Sequence, residues 1–309
     1  MLLTIIVPCH NSTEYLDDCF KSIVGQTIEV ENLQIIMVDD ASDDDGATLE
    51  KLLAYEKQYP EQVNIIALQE NMRQGGARNV ALKYAKGKYV QFLDSDDELQ
   101  PDSCEYYYNM AEKYDVELIH YHPKYYDDDR VMDLSSPEKR KQFLSSAKYS
   151  CGHSMKFYKR QLLERAGSTF AEHCIFEEPK FVYPLYLYAQ KILFLKENKY
   201  IVRLHERSTM ASEAARKLLD HPKVQLQLLE FLMGRPEVFG EYRDEIEDYF
   251  IWSFFCETMI NNEESGGILL GAAEKEWLIE VCHKLFPDCK NNKYIMKYSG
   301  EAARFLNLL

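Results

Sequence analysis

The sequence predicts an α/β fold: a mostly parallel sheet flanked by helices, followed by a helical C-terminal extension. Three observations predict it. Short apolar runs alternate with helically spaced apolar stripes as far as about Tyr121. Three of those runs end in loops rich in Asp, Pro or Asn. Beyond about Ser208 only helical periodicity is left, so the chain divides into residues 1–209 and 210–309.

The first strand is Leu3–Val7, a continuous apolar run bounded by Pro8. Tyr15, Leu16, Cys19, Phe20, Ile23 and Val24 then repeat at helical spacing, with Asn11 and Glu14 as a capping signal. Leu33–Val38 is the second strand, and the acidic loop from Asp39 to Gly46 follows it. Leu49, Leu52, Leu53 and Tyr55 suit a helix, and Val63–Leu68 a third strand. Ala77, Val80, Ala81, Tyr84 and Ala85 form a helical stripe closed by Gly87. Tyr89–Leu93 is a fourth strand ending in acids, Pro101 opens a helix, and Val116–Tyr121 is a fifth strand. The extension reads as helices around Leu226–Leu232, Ile246–Phe254 and Trp277–Leu285, broken at Gly266-Gly267. Its aromatic residues are expected in a core.

The 309 residues carry ordinary apolar (46%) and charged (28%) fractions, enough to bury a core without cross-links. A net charge of −15 excludes a nucleic-acid binder, since phosphate contacts need Lys/Arg clusters. It is compatible with a nucleotide diphosphate if a cation screens the charge. The eight cysteines contain no C-x-x-C pair and read as reduced, mostly buried thiols. No apolar stretch is long enough to span a membrane, and the N-terminus lacks the basic region of a signal peptide. A cytoplasmic protein is expected, with peripheral membrane docking left open.

In a parallel sheet, ligands bind outside the carboxyl ends of the strands. Asp94-Ser95-Asp96-Asp97 lies at such an end. Carboxylates crowded there repel one another unless a hard divalent cation, Mn²⁺ or Mg²⁺, joins them; the competing reading is an Asp-rich turn. Asp39-Asp40 follows the second strand, where a carboxylate can accept the imino N–H of uracil, a donor cytosine lacks. Turn capping is the competing role. Pro8-Cys9-His10-Asn11 follows the first strand, and His10 there is suited to stacking beside a base or to packing the turn. The chain has neither G-x-G-x-x-G nor a P-loop, which argues against dinucleotide-binding and P-loop enzymes. Glu70 to Asn79 places Gly75-Gly76 and Arg78 at a helix start, where backbone can approach a nucleotide.

These stretches, with Tyr15-Leu16, Ser22-Ile23, Gln26-Thr27 and Gly87 to Asp97, resemble the inverting glycosyltransferases of family two, which have the GT-A fold. The agreement covers about the first hundred residues and weakens towards Ser208. The resemblance implies that Asp40 reads uracil and that Asp94-Ser95-Asp96 is the D-x-D motif. Asp96 is then the metal ligand, with Asp94 nearer the ribose and donor sugar. Pro8, His10, Asn11, Asp39 and Arg78 join the nucleotide site. Arg73 stands where the family often has Gly and is placed to reach donor phosphates. Arg203, His205 and Arg207 are placed to neutralise diphosphate, with a surface basic patch as the competing reading. The family's Glu-Asp pair corresponds to Glu177-Glu178, which makes Glu178 the catalytic base and Glu177 the alternative. The implied activity is inverting transfer of a sugar from a UDP-sugar to the hydroxyl of a glycan or lipid-linked glycan, in cell-surface polysaccharide assembly. Two other readings are a non-catalytic nucleotide- or glycan-binding module and a sugar nucleotidyltransferase. Acceptor contacts are expected between about Tyr121 and Phe176, where His153, Ser154 and Lys156 are candidates, with buried structural roles as the equal alternative. Donor sugar, linkage and oligomeric state are not legible.

Overall fold

The computed structural model describes residues 1–121, 128–146, 150–205 and 218–309. Arg207 and the expected boundary at 209/210 lie outside these residues. Contacts divide the chain into two compact units. The first comprises Met1–Ser136, Ser150–Cys174 and Phe181–Leu204, and the second Pro137–Tyr149, Ile175–Lys180 and His205–Leu309. The second unit is thus the helical extension together with two earlier segments.

The first unit is built on an eight-stranded sheet. Its strands in chain order are β1 (Leu3–Cys9), β2 (Leu33–Asp39), β3 (Val63–Ala67), β4 (Tyr89–Phe92), β6 (Leu118–Tyr121), β7 (Arg130–Asp133), β8 (Lys156–Lys159) and β9 (Lys191–Leu195). Short strands β5 (Glu98–Leu99) and β10 (Tyr200–Ile201) pair separately. The sheet order is β3-β2-β1-β4-β8-β6-β9-β7. The five strands read from the sequence are β1, β2, β3, β4 and β6. The β1–β2, β1–β4, β2–β3 and β6–β9 pairs are parallel. The β4–β8, β6–β8 and β7–β9 pairs are antiparallel, which makes the sheet mixed. β7 (Arg-Val-Met-Asp) and β8 (Lys-Phe-Tyr-Lys) each place two adjacent apolar residues between charged ends, which gives neither a continuous apolar run nor an apolar alternation.

All seven residues of β1 and all seven of β2 are buried, as expected for central strands covered on both faces. Helices α1 (Leu16–Val24), α2 (Ala47–Gln58), α3 (Arg73–Leu82) and α4 (Ser103–Tyr114) follow β1, β2, β3 and β5. Leu16, Cys19, Phe20 and Ile23 form the buried face of α1. Asn11 does not cap this helix. It adopts φ 51° and bonds Asp43 instead, while the Ser12 carbonyl accepts from the N–H groups of Tyr15 and Leu16. Gly87 sits where β4 begins against β1; a Cβ there would stand 2.4 Å from the Thr4 nitrogen, so only glycine permits the approach. Seven of the eight cysteines are buried, and no disulfide joins them among the described residues.

In the second unit, helices Asp220–Met233, Pro236–Glu241, Arg243–Phe250, Thr258–Glu264, Ala272–Leu285 and Gly300–Leu306 surround an aromatic core. Phe250 stacks on Phe254 at 4.7 Å, and Phe254 meets Trp277 edge-on at 5.6 Å. Trp252 departs from the expected core placement: it is 41% exposed. Between Phe250 and Thr258 the backbone forms a π-helix, Ile251–Glu257. Arg140, on the helix Pro137–Leu144, donates to the Tyr242 hydroxyl at 2.6 Å, which ties that earlier segment into the unit. No described helix is long and apolar enough to cross a membrane.

Burial pushes the Asp248 carboxyl up from 3.8 to about 6, against the hydrogen bond from Tyr298. An acid raised on folding favours the protonated native state. Its stabilising contribution is therefore full below the unfolded value and is lost as pH rises through the folded one. Asp248→Asn keeps the acceptor oxygen and removes the titration. Its thermal midpoint, relative to wild type, is expected to be higher at about pH 7 than at about pH 4. A difference that stays constant over that range would contradict the assignment.

Candidate active site

β1 pairs in parallel with both β2 and β4, so the loops after Cys9, Asp39 and Phe92 emerge from one edge of the sheet. The predicted donor-site residues on those loops meet there. Asp39 and Asp40 are both buried, at 5% and 3% exposure. The Asp39 carboxylate accepts from the Ser42 hydroxyl at 2.5 Å, which holds the acidic turn. Asp40 Oδ1 accepts from the Met72 backbone N–H at 2.7 Å, joining the end of β2 to the start of α3. Burial raises the Asp40 carboxyl, and the Met72 N–H and His10 oppose the rise. The adjacent Gly76 accommodates the Met72 side chain: a Cβ there would lie 2.4 Å from Met72 Cβ.

His10 is exposed, with Nδ1 3.0 Å from the Asp40 carbonyl oxygen. The Asn71 amide lies 3.3 Å from both ring nitrogens. Asn11 closes the rim: its amide donates to Asp43 at 2.6 Å, and its N–H to the Ser42 hydroxyl at 3.0 Å. Pro8 is buried within β1 rather than in the loop. Arg73 opens α3 with φ 61°, half-buried.

The second focus is Asp94. Arg78, 2% exposed, donates Nη2 to Asp94 Oδ1 at 2.6 Å, and its guanidinium lies 5.3 Å from the centre of the Phe170 ring. His153 Nε2 is 3.5 Å from the same Asp94 oxygen. The His153 ring meets Phe92 and Phe170 edge-on at 5.9 and 5.8 Å. Burial alone would raise the Asp94 carboxyl. Arg78 and His153 outweigh it and hold the group well below the usual carboxylate range. His153, weighed equally as an acceptor contact and as a buried structural residue, is buried beside Asp94. Lys156, named with it, is buried and donates to the Gly152 carbonyl.

Ser95 shares a 2.9 Å hydrogen bond with Ser12, and Asp96 is partly exposed beside it. Asp97 turns away from the loop edge into the core. It accepts from the Tyr200 hydroxyl at 2.8 Å and from the Arg203 N–H at 2.8 Å. The Tyr200 hydroxyl also accepts the Asp94 N–H at 3.1 Å. The β5–β10 pair thus fixes the backbone on either side of Asp96. The Arg203 guanidinium is engaged by Asp18 at 2.9 Å and Glu98 at 2.7 Å, so its link to Asp97 runs through its backbone. Met72, Asn71 and Tyr200 were not singled out from the sequence as site residues. Asn71 and Met72 lay in a motif that was quoted. Tyr200 carries no local signal, because its role arises from pairing with a segment about a hundred residues away.

Glu177, Glu178 and His205 belong to the second unit. Glu177 is buried at 2% exposure. Glu178 is half-buried and opens α7 (Glu178–Tyr188), with Pro179 in the first turn, a position where a missing N–H costs no helical bond. His205 is half-buried.

Comparison with known proteins gives the family and the fold. The family model described as Glycosyl transferase family 2 matches residues 4–168. The chain is 35% identical over 116 residues to the Poly(ribitol-phosphate) beta-glucosyltransferase of Bacillus spizizenii, covering 37% of this chain and 18% of that protein. It is 31% identical over 229 residues to the Minor teichoic acid biosynthesis protein GgaB of Bacillus subtilis, covering 69% of this chain and 24% of that protein. The chain therefore spans about a quarter or less of the length of these two relatives. The crystal structure of S. aureus TarS 1–349 in complex with UDP-GlcNAc superposes with a TM-score of 0.60 at 20% identity, covering 100% of this chain and 80% of that one. With the matched segment running from β1 through α6 (Arg160–Ala166), across both foci of the site, the chain belongs to glycosyl transferase family 2.

Proposed function

We propose that this protein is an inverting glycosyltransferase that moves a sugar from a UDP-sugar to a hydroxyl of a glycan or lipid-linked glycan during cell-surface polysaccharide assembly. The observation that carries this reading is the joint placement of Asp40 and the Arg78–Asp94 pair on one edge of the sheet. Family membership, the biosynthetic names of the relatives and the UDP-GlcNAc held by TarS support it. A cytoplasmic location fits this reading, with peripheral docking on the membrane where the acceptor is lipid-linked.

Asp40 would accept the uracil imino N–H, with His10 and Asn71 beside the base. Asp94, held low and oriented by Arg78, would face the ribose and donor sugar. The donor set at Asp94-Ser95-Asp96 consists of oxygens, which fits Mn²⁺ or Mg²⁺ and not a soft metal. Asp96 would hold the ion with Asp94, and the bound ion supplies Lewis-acid stabilisation of the charge that gathers on the departing UDP. Glu178, or Glu177, would take the proton from the acceptor hydroxyl as that oxygen attacks the anomeric carbon. The C–O bond to UDP breaks on the opposite face. The sugar is inverted, and no covalent sugar–enzyme intermediate is needed.

The test is calorimetric binding of UDP and of CDP in the presence of Mn²⁺, to wild type and to Asp40→Asn. Wild type is expected to prefer UDP. The variant, which presents an amide in place of the second carboxylate oxygen, is expected to lose about tenfold or more for UDP and less for CDP. Equal losses for both would remove Asp40 from base recognition. Binding that ignores Mn²⁺ would remove the cation.

A further inference from the structure

The segment bearing the two candidate bases, Ile175–Lys180, groups with the helical unit and not with the sheet unit. Two residues at the start of the helix Asp220–Met233 hold its leading end. Asp220 Oδ2 accepts from the Ile175 N–H at 3.3 Å. The Phe176 ring, whose backbone has φ 61°, meets the His221 ring edge-on at 5.6 Å and 87°. A positive φ at a bulky residue is strained, and it persists only where the surroundings impose it.

His221 is itself fixed from both sides. Its Nδ1 lies 3.1 Å from the Thr258 hydroxyl. Its Nε2 lies 3.3 Å from Glu257 Oε2 and 3.4 Å from Ser253 Oγ. Ser253 and Glu257 stand on the π-helix, and the Ser253 hydroxyl donates to Glu257 at 2.7 Å. The set contains a serine, a histidine and a carboxylate, yet it is not a nucleophilic triad. A triad needs the acid on one ring nitrogen and the serine on the other. Here both share Nε2, the serine proton is directed to the acid, and Ser253 and His221 are buried at 3% and 7% exposure. The arrangement immobilises an imidazole. A π-helix is uncommon and concentrates at functional positions.

We infer that His221, braced by Thr258, Glu257 and Ser253, is a positioning residue for the Glu177–Glu178 segment. The inference rests on the reading of Glu178 or Glu177 as that base. Its physical content is that Phe176 and Ile175 are pinned immediately before the acids. Displacement of a reacting group by about 1 Å is enough to cost about 10²-fold in rate.

The experiment compares wild type with His221→Gln and with the milder Thr258→Val, which removes the Nδ1 partner and keeps the side-chain shape. Two readouts are taken: amide hydrogen exchange across residues 175–180, and Mn²⁺-dependent hydrolysis of UDP-GlcNAc. In both variants exchange at 175–178 is expected to accelerate about tenfold or more, while exchange in the helix Ala272–Leu285 stays as in wild type. Turnover is expected to fall about 10- to 100-fold with KM for the donor unchanged. Unaltered exchange at 175–178 in both variants overturns the inference, and so does a uniform rise throughout the helical unit. Failure of the base reading shows separately: full turnover in both Glu178→Gln and Glu177→Gln removes the base assignment, whatever the exchange pattern.

Discussion

Asp96→Ala is expected to abolish Mn²⁺-dependent UDP binding and to lower turnover by about 10³-fold or more. The backbone around Asp96 is held by its neighbours. The Asp94 N–H is bonded to Tyr200, the Asp97 carboxylate to Tyr200 and Arg203, and the Ser95 hydroxyl to Ser12. The thermal midpoint without nucleotide is measured alongside, which separates a loss through the cation from a loss through folding. Asp94 is a poorer choice for this experiment. Its removal would break the buried ion pair with Arg78, 2% exposed, and breaking a buried pair destabilises by several kcal/mol. UDP binding that keeps its Mn²⁺ dependence in Asp96→Ala would end the metal assignment.

Glu178→Gln is expected to lower turnover by about 10²–10⁴-fold while leaving the dissociation constant for UDP unchanged. An amide cannot take the proton from the attacking hydroxyl, but it preserves volume at the start of α7. Glu177→Gln is the paired measurement. Glu177 is almost fully buried and Glu178 half-buried, so a structural role for Glu177 would appear as a lowered thermal midpoint. A large loss of turnover in Glu177→Gln alone, at unchanged stability, would move the base by one residue. Rates unchanged in both would place the base elsewhere, whereas UDP binding without turnover of any UDP-sugar by wild type would favour the donor-binding module, the reading weighed from the sequence as the main alternative to an enzyme.

The sequence by itself determined the five strands β1, β2, β3, β4 and β6, and the loops at which the candidate acids stand. β1, β2, β4 and β6 are buried throughout and the edge strand β3 in part, so burial writes itself into local composition. The acids at Asp39-Asp40 and Asp94–Asp97 could be placed because a parallel sheet brings its strand ends to one edge. Only the tertiary structure decided what those acids touch. Asp40 takes the Met72 N–H, Asp94 takes Arg78 and His153, and Asp97 turns inward to Tyr200 and Arg203. It also assigned Ile175–Lys180 to the helical unit, where periodicity gave no hint of it. The reason is physical. Hydrophobic periodicity records which face of an element is covered, not what covers it. A hydroxyl on β10 meets a carboxylate about a hundred residues earlier only after two short strands have paired.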